Sequence, residues 1–416
     1  MFEKLFKYDR VLVRHRTGPF AKERAAYLSH RAQQGAAKKT LLKIACELLV
    51  ISREINLIPG HSIETAEIEA AAVKWARHQQ RCHRAVTQRW PRALFVQSAK
   101  QWFQFLGCFQ KPEEKAAPFS DLIDDFASYL CQERGLSSVT IHNYSWQVGR
   151  FLTWLDQQGC HVFADVSIKN VDEYLSLNGI ACWTRVSVAS CSKALRAFFR
   201  HSEMREWCVS GIATAIESPR IFKEENLPLG PSWKDVQRLI ASTDTDQPRD
   251  IRDRALLMLF AFYGLRGGEV RKLRLENIDW EQEIIHVSRP KQRKTQEYPL
   301  THEVGVAIIR YLKEVRPCNA HREVFLTLKA PFRPLSAGAL VHVTASRFAQ
   351  LGIESLHQGP HSLRHACATF LLCQGLSLKE IGDHLGHRSS FATRHYARVD
   401  ITGLREVASF DLGDLL

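Results

Sequence analysis

The sequence predicts a mainly α-helical protein that carries one small β-sheet toward its C-terminal end. Apolar residues recur at helical spacing through most of the chain, for example over residues 41–51 and 119–130. Patterns typical of strands are confined to residues 278–300. Residues 217–231 contain three prolines and charges of both signs, which is typical of an extended linker between domains. The chain of 416 residues is long enough for two or three such domains.

Residues 1–117 form the first predicted unit, a basic helical region. This segment contains 21 Lys and Arg residues against 10 Asp and Glu residues, so it holds +11 of the +13 charge of the whole chain. Helical spacing predicts a folded unit rather than a disordered arm, through Leu41, Ile44, Ala45, Leu48 and Ile51. The charge favours a polyanionic partner, either nucleic acid or an anionic membrane surface, and the alternative is that it only solvates helix faces.

Residues 118–216 form the second predicted unit, which contains four helices. Apolar faces predict these helices over residues 119–130, 140–155, 171–177 and 186–201. Gly135 and the serines that follow it separate the first helix from the second. The four helices are close enough in sequence to form one small domain.

The third predicted unit, residues 232–400, follows the linker and contains the sheet. Ser232 and Asp235 are typical of a helix N-terminus. Residues 253–263 predict a buried helix, strands are expected over 278–280, 283–287 and 297–300, and the rest is expected to be helical. In the tail, residues 401–416, the apolar positions that indicate an amphipathic helix are Ile401, Leu404, Val407, Ala408 and Leu412.

Composition excludes several classes of protein. Without an apolar run of about 18 residues or a signal peptide, the chain is expected to be cytoplasmic and not membrane-bound. The 11 cysteines lack a CxxC pair, which predicts reduced thiols rather than a disulfide framework. No second pair of ligands accompanies Cys82 and its neighbouring histidines, so no metal site is predicted.

An ordered set of donors and one hydroxyl runs through the third unit. Arg266 lies in the run Tyr-Gly-Leu-Arg-Gly-Gly-Glu that ends at Glu269, and Lys291 lies eight residues before Pro299. His361 precedes Arg364 by three residues, which on a helix places both side chains on one face. His387 follows 23 residues after Arg364, and Tyr396 follows nine residues after His387.

These residue types suit the cleavage of a phosphodiester. Arg266 and Arg364 are permanently charged planar forks that can hold two non-bridging oxygens. Tyr396 can act as the nucleophile, and Lys291 can lose a proton to a leaving oxygen. Each residue has an ordinary structural explanation when taken singly, and it is the order and spacing of the set that favour the catalytic interpretation.

The set resembles the tyrosine recombinase (phage integrase) family over roughly residues 118 to 400. The resemblance implies that Tyr396 forms a 3′-phosphotyrosine without metal or ATP, so that no cofactor is required. It also implies that His361 assists proton transfer, that His387 donates to the phosphate and that Glu269 supports the site. A slip in the hairpin register would exchange Lys291 for Lys294, so the general acid stays open between these two.

The resemblance also implies the domain roles. Residues 118–216 correspond to the core-binding (SAM-like) DNA-binding domain and residues 232–400 to the catalytic domain. Candidate DNA contacts in the former are Thr140, His142, Asn143, Arg150, Lys193 and Arg196, whereas Trp146 is either a DNA contact or a core residue. Residues 1–117 are a possible extra domain for binding DNA or a protein partner.

The implied function is that of a site-specific recombinase or integrase of a mobile genetic element. Its expected partner is double-stranded DNA, at the nucleoid, on which it would act as a homo-tetramer or with related recombinases through a Holliday junction. The tail 401–416 would dock on the neighbouring protomer in such an assembly, or pack on its own domain. A type IB topoisomerase and a DNA-binding regulator are the alternatives; the tail argues against the first and the complete residue set against the second.

Overall fold

A computed structural model describes residues 1–55, 62–82, 89–110, 118–181, 183–221, 230–289, 294–387, 393 and 396. The predicted fold class is confirmed, because the described residues are mainly helical and include one three-stranded antiparallel sheet. Within these residues no helix combines the length and the apolar character that crossing a membrane requires. The predicted tail helix, 401–416, lies outside the described residues.

The N-terminal residues form helices that pack around a common apolar core. Four of the five predicted apolar positions of residues 41–51 are buried, namely Leu41, Ala45, Leu48 and Ile51. They pack with Trp102 and Phe103 from a later helix. The helices are α1 (Phe2–Leu5), α2 (Asp9–Thr17), α3 (Ala21–Gln33), α4 (Lys38–Glu54), α5 (Thr65–Arg81) and α6 (Arg89–Leu106).

The chain divides into two compact units, and residues Lys111–Glu225 form one of them. Its four long helices match the four predicted ones and enclose an aromatic core that includes Phe126, Phe151 and Phe198. The side chains of Ser137 and Thr184 cap the second and fourth of these helices. The helices are α7 (Ser120–Gln132), α8 (Ser138–Gln157), α9 (Ile168–Ala181), α10 (Arg185–Met204) and the short α11 (Ile212–Ala215).

The other unit contains Met1–Gln110 together with Asn226–Leu416. Its C-terminal part begins where Ser232 caps a helix, as predicted. The following helix begins at Pro248, five residues before the predicted range 253–263, and is mostly buried from Ile251 onward. The helices are α12 (Trp233–Ala241), α13 (Pro248–Phe262), α14 (Gly267–Lys272), α15 (His302–Arg310), α16 (Ala337–Leu351), α17 (Pro360–Cys373) and α18 (Leu378–Leu385).

The sheet has the strand order β1 (Ile278–Asp279), β2 (Ile284–Arg289) and β3 (Lys294–Pro299). β2 and β3 pair in antiparallel register, so that Arg289 lies opposite Lys294. The predicted start of the middle strand was one residue early, because Glu283 has φ 55° and cannot continue an extended strand. The predicted third strand began too late, because pairing with β2 extends back through Gln296 and Thr295 to Lys294.

Candidate active site

The run that contains Arg266, residues 263–269, begins with a turn. This turn links α13 to the β2–β3 hairpin and to α14. The hydroxyl of Tyr263 donates to the carbonyl of Pro299 (2.8 Å) and accepts from the amide of Thr301 (3.0 Å), which anchors the end of β3. Gly264 has φ 57°, and a Cβ there would lie 2.4 Å from Leu385 Cδ2. Glycine is thus required both by the backbone and by the close approach of α18.

Arg266 and Glu269 meet at the start of α14. Glu269 accepts from the backbone amide of Arg266 (2.8 Å) and from its Nη1 (2.9 Å), while the Arg266 side chain remains 43% exposed. The Glu269 side chain is buried, so this pair differs from the exposed i,i+3 pair that is the ordinary explanation of such a spacing. The contact holds one side of the guanidinium and leaves the exposed side for a ligand.

Arg364 lies on the buried side of α17. It is 1% exposed, and it donates to the carbonyls of Gly264 and, over 2.7 Å, Leu385. His361 lies one turn earlier on the same helix and is exposed. The helix predicted from the spacing of these two residues is therefore present, although they differ in depth.

Three arginines converge on the C-terminal end of α18. The last carbonyls of a helix have no partner within the helix, and the helix dipole favours positive charge there. Leu385 O accepts from Arg364 and from Arg289 Nη1. Gly386 O accepts from Arg289 Nη1 (3.0 Å) and Arg266 Nη2 (3.4 Å).

The hairpin holds the same helix end. Gln296 donates to the carbonyl of Asp383 (2.8 Å), and the hydroxyl of Tyr298 donates to that of His384. His384 Nε2 in turn lies 3.1 Å from the carbonyl of Phe262, so this histidine ties α18 to α13. The end of α18 is thereby joined to β3 and α13, immediately before His387 in the sequence.

His387 is oriented by Thr393. Its Nδ1 is joined by a hydrogen bond of 2.8 Å to Oγ1 of Thr393, which is buried. In the neutral tautomer in which Nδ1 accepts from the Thr393 hydroxyl, Nε2 carries the proton that a phosphate oxygen can accept.

Tyr396 is buried against α17 and α18. Its ring packs with Cys367, Ile381 and Leu385, and its hydroxyl is joined by a hydrogen bond of 2.8 Å to Nδ1 of His365. The His365 ring also contacts that of His361, with centroids 4.4 Å apart. His365 thus contacts both the tyrosine and the histidine predicted to assist it.

Burial shifts the pKa values of Arg364 and Tyr396. Burial lowers the pKa of Arg364 to about 10, and the nearby charge of Arg266 acts in the same direction. Burial raises the pKa of Tyr396 to about 12, although the positive charge of Arg364 opposes this. The phenol is therefore neutral at pH 7, and its proton must be removed as it attacks.

The structure describes only one of the two lysines that are candidates for the general acid. Lys291 lies outside the described residues. The backbone of Lys294 forms the first position of β3, opposite Arg289.

The candidate DNA contacts of residues 111–225 lie on α8 and α10. His142, Asn143, Arg150 and Lys193 are exposed, whereas Arg196 donates to the carbonyl of Ile216 (2.8 Å) and to Ser218 Oγ (3.0 Å). Thr140 is half-buried and hydrogen-bonded to the capping Ser137. Trp146 is 55% exposed, which excludes the alternative that it is a core residue. Arg150 lies over the rings of Trp146 and Trp183 at 5.1 and 5.4 Å.

Sequence reasoning missed Arg289, His365 and Thr393. The spacing of His361 and His365, four residues apart on a helix, was a usable signal for the second histidine. Arg289 and Thr393 carried no such signal, because their contacts join segments that are distant or irregular in the chain.

Comparison with known families places two matches along the chain. The phage integrase family matches residues 232–402, and the SAM-like N-terminal domain of phage integrases matches residues 123–205. The first match contains Arg266, Lys291, His361, Arg364, His387 and Tyr396, and the second contains the candidate DNA contacts.

Several proteins resemble the chain over most of its length. The tyrosine recombinase XerD of Listeria innocua is 30% identical over 298 residues, which cover 69% of this chain and 97% of that protein. The XerD of Lacticaseibacillus casei is 31% identical and covers 67% and 94%. The candidate integrase/recombinase y4rA of Sinorhizobium fredii is 34% identical and covers 69% of each chain.

Solved structures share the fold. The XerH site-specific recombinase bound to its palindromic difH substrate matches with a TM-score of 0.55 and 18% identity, covering 72% of this chain and 98% of that one. The Tn1549 transposon integrase in complex with transposon right end DNA matches with a TM-score of 0.53 and 16% identity, covering 68% and 99%.

Proposed function

The chain belongs to the phage integrase family and is an enzyme of the tyrosine recombinase class, and from this premise we propose that it cuts and rejoins double-stranded DNA at a specific site through Tyr396. The supporting observation is the convergence of Arg266 and Arg364 on the end of α18, next to His387, with Tyr396 packed against the same helix. Two fixed guanidiniums beside a hydroxyl are what an attack on a phosphodiester requires.

The proposed step forms one bond and breaks one. The Tyr396 oxygen bonds to phosphorus as its proton passes to the His365–His361 pair, and the bond from phosphorus to the 5′ oxygen breaks. Lys291 protonates that leaving oxygen, which yields a 3′-phosphotyrosine and a free 5′-hydroxyl. Arg266, Arg364 and His387 neutralise the non-bridging oxygens, and Glu269 holds Arg266 in place.

Rejoining is the same step in reverse, with a 5′-hydroxyl from another strand as the nucleophile. Two successive exchanges between two sites pass through a Holliday junction and need no external energy source, since the phosphotyrosine conserves the bond. We propose that four protomers carry this out together, with the tail 401–416 docking between neighbours.

The proposed DNA contacts follow the exposed faces of α8 and α10. His142, Asn143, Arg150 and Lys193 are exposed there, and Arg150 is additionally held between two indole rings. An arginine held in this way loses less conformational freedom on binding a phosphate. The contacts of Arg196 within its own domain favour a supporting role for that residue.

A mobile element is the proposed context. A relative of the same fold is a transposon integrase in complex with transposon right end DNA, and y4rA is a candidate integrase. The proposed activity of this chain is the movement or resolution of such an element.

The test begins with duplexes of random sequence, from which the full chain selects the DNA that it binds. The selected site is then nicked close to the cleavage position, so that the short 5′-hydroxyl strand diffuses away and the covalent adduct accumulates. We expect a protein–DNA adduct on a denaturing gel for the wild type and none for Tyr396→Phe, with equal binding by both.

Two outcomes would contradict the proposal. Tight, sequence-selective binding without an adduct would indicate a DNA-binding regulator. Relaxation of a supercoiled plasmid that lacks the selected site, at the rate seen with the site, would indicate a topoisomerase.

A further inference from the structure

Arg289 is a third arginine at the end of α18, and its guanidinium is buried. It is the last residue of β2 and 2% exposed. Its Nη1 donates to the carbonyls of Leu385 and Gly386, and its Nη2 donates to the hydroxyl of Tyr298. Among the described residues the nearest carboxylate is that of Glu269, 3.9 Å away, which Arg266 already binds at 2.9 Å.

Such an arrangement is costly to fold. A buried guanidinium loses its hydration, and here it shares one carboxylate with Arg266 while Arg364 lies close to both. An apolar residue at the last position of β2 would avoid this cost. In return, Arg289 stabilises the carbonyls that end α18 and interacts favourably with the dipole of that helix.

The backbone of Gly386 lies directly against the guanidinium of Arg289. It ends α18 with φ 61° and ψ 60°, and a Cβ at this position would lie 1.7 Å from Arg289 Nη1. The left-handed backbone disfavours a side chain, and the guanidinium leaves no room for one. His387 follows directly, so the orientation of its backbone is set by a turn that Arg289 contacts on one side.

We propose that Arg289 is a positioning residue that aligns His387 for the phosphate by fixing the Leu385–Gly386 turn. The inference rests on the proposed function. Contacts run from Arg289 to the Gly386 carbonyl, through one peptide to His387, and from the His387 ring to Thr393. The ring is thus held by its backbone on one side and by Nδ1 on the other.

Arg289 acts through the turn and not on the substrate. Its Nη1 holds the end of α18 directly, and its Nη2 holds the same helix end through the Tyr298 hydroxyl, which donates to the carbonyl of His384. Arg364 is as deeply buried, but only its Nη2 is engaged by α18, because its Nη1 donates to Gly264.

The experiment compares variants of the full chain on the selected nicked substrate under saturating protein. Arg289→Met should slow adduct formation about 10- to 100-fold while DNA affinity stays within about 3-fold, because misplacing one group by about 1 Å has effects of this size. Arg289→Lys, which keeps the charge and reaches one carbonyl, should be intermediate. Arg316→Met is the control: Arg316 likewise holds loop carbonyls, those of His321, Glu323 and Val324, and this variant should cleave at the wild-type rate.

A double variant identifies the residue through which Arg289 acts. Arg289→Met combined with His387→Ala should be no more than about 3-fold slower than His387→Ala alone, since the position of a missing ring has no effect. A fully multiplicative loss would overturn the inference. So would full recovery of Arg289→Met on a 5′-bridging phosphorothiolate, because that result would place its effect on protonation of the leaving group.

Gly386→Ala provides a test that keeps Arg289 in the chain. Its added methyl group collides with the guanidinium, so cleavage should slow as in Arg289→Met. Gly352→Ala is the matched control, because Gly352 also ends a helix, has φ 63° and has open space around its Cβ. Equal rates for the two alanine variants would contradict the inference.

The outcomes distinguish the inference from the proposed function. If the wild type itself forms no adduct, the proposed function fails. If the wild type forms the adduct and the Arg289 and Gly386 variants cleave at the wild-type rate, the inference alone fails.

Discussion

The Tyr396 hydroxyl and Nδ1 of His365 are joined by a hydrogen bond of 2.8 Å, while the tyrosine ring is 1% exposed. The candidate nucleophile is thus held against α17, one residue beyond Arg364. The phenol must therefore be uncovered before a phosphate can approach it.

The strength of this contact can be measured by a double-mutant cycle. His365→Ala and Tyr396→Phe should be coupled by about 0.5–1.5 kcal/mol in the free energy of unfolding, the usual value of a hydrogen bond. Urea denaturation of the wild type, both single variants and the double variant gives the coupling. A value of zero would mean that the two side chains are neighbours without a stabilising bond.

Burial of Tyr396 predicts a pH dependence of stability. Its pKa is about 12 in the folded chain against an ordinary value near 10, so the folded state holds the phenolic proton more tightly than the unfolded state. The resulting stability is complete below pH 10 and is lost as the pH rises from about 10 to about 12. At pH 11 the loss should reach about 1.4 kcal/mol. The Tyr396→Phe variant should not show this loss. The difference in the free energy of unfolding between the wild type and the variant should therefore shift by this amount between pH 8 and pH 11.

The identity of the general acid can be tested by changing the leaving group of the substrate. With a 5′-bridging phosphorothiolate the departing sulfur needs no proton, so cleavage by Lys291→Ala should recover by several orders of magnitude. Arg266→Ala should stay slow, since the non-bridging oxygens are unchanged. Recovery by Lys294→Ala instead would transfer the role to that lysine.

The basic N-terminal region is expected to bind DNA phosphates. Lys38, Lys39, Arg77 and Arg81 are exposed on α4 and α5, and replacing all four with Gln should weaken binding. The slope of log affinity against log salt should also flatten, by about 0.9 for each phosphate that the variant no longer neutralises. Adduct formation at saturating protein should persist. An unchanged slope would mean that these residues face solvent or a protein partner.

Gly264 is expected to be intolerant of a side chain. Gly264→Ala adds a methyl group 2.4 Å from Leu385 Cδ2 at φ 57°, and should lower the stability by about 1–3 kcal/mol through overpacking. Gly375→Ala has a similar backbone strain, φ 86°, with open space around its Cβ. Thermal unfolding of the two variants should therefore differ, and equal effects would assign the whole cost to the backbone.

Local patterns account for the elements that could be predicted. The helix that carries His361 and Arg364 and the cap at Ser232 depend on residues a few positions apart, and both are present. The burial of Arg289 was not predictable, because its carbonyl partners lie 96 and 97 residues further along the chain. A basic residue beside a turn ordinarily faces water. Likewise, His361 was the histidine expected to assist Tyr396, whereas the tyrosine hydroxyl is hydrogen-bonded to His365, four residues later on the same helix.

The alternation of β2 has a consequence for how this site assembles. Ile285, Val287 and Arg289 point to the buried face of the strand, whereas Ser288 is exposed. Shifting the strand by one residue would turn the guanidinium outward and bring Ser288 to the end of α18. A misfolded hairpin would thus remove one of the three arginines at the end of α18, so the arginine cluster is complete only when the strands pair in register.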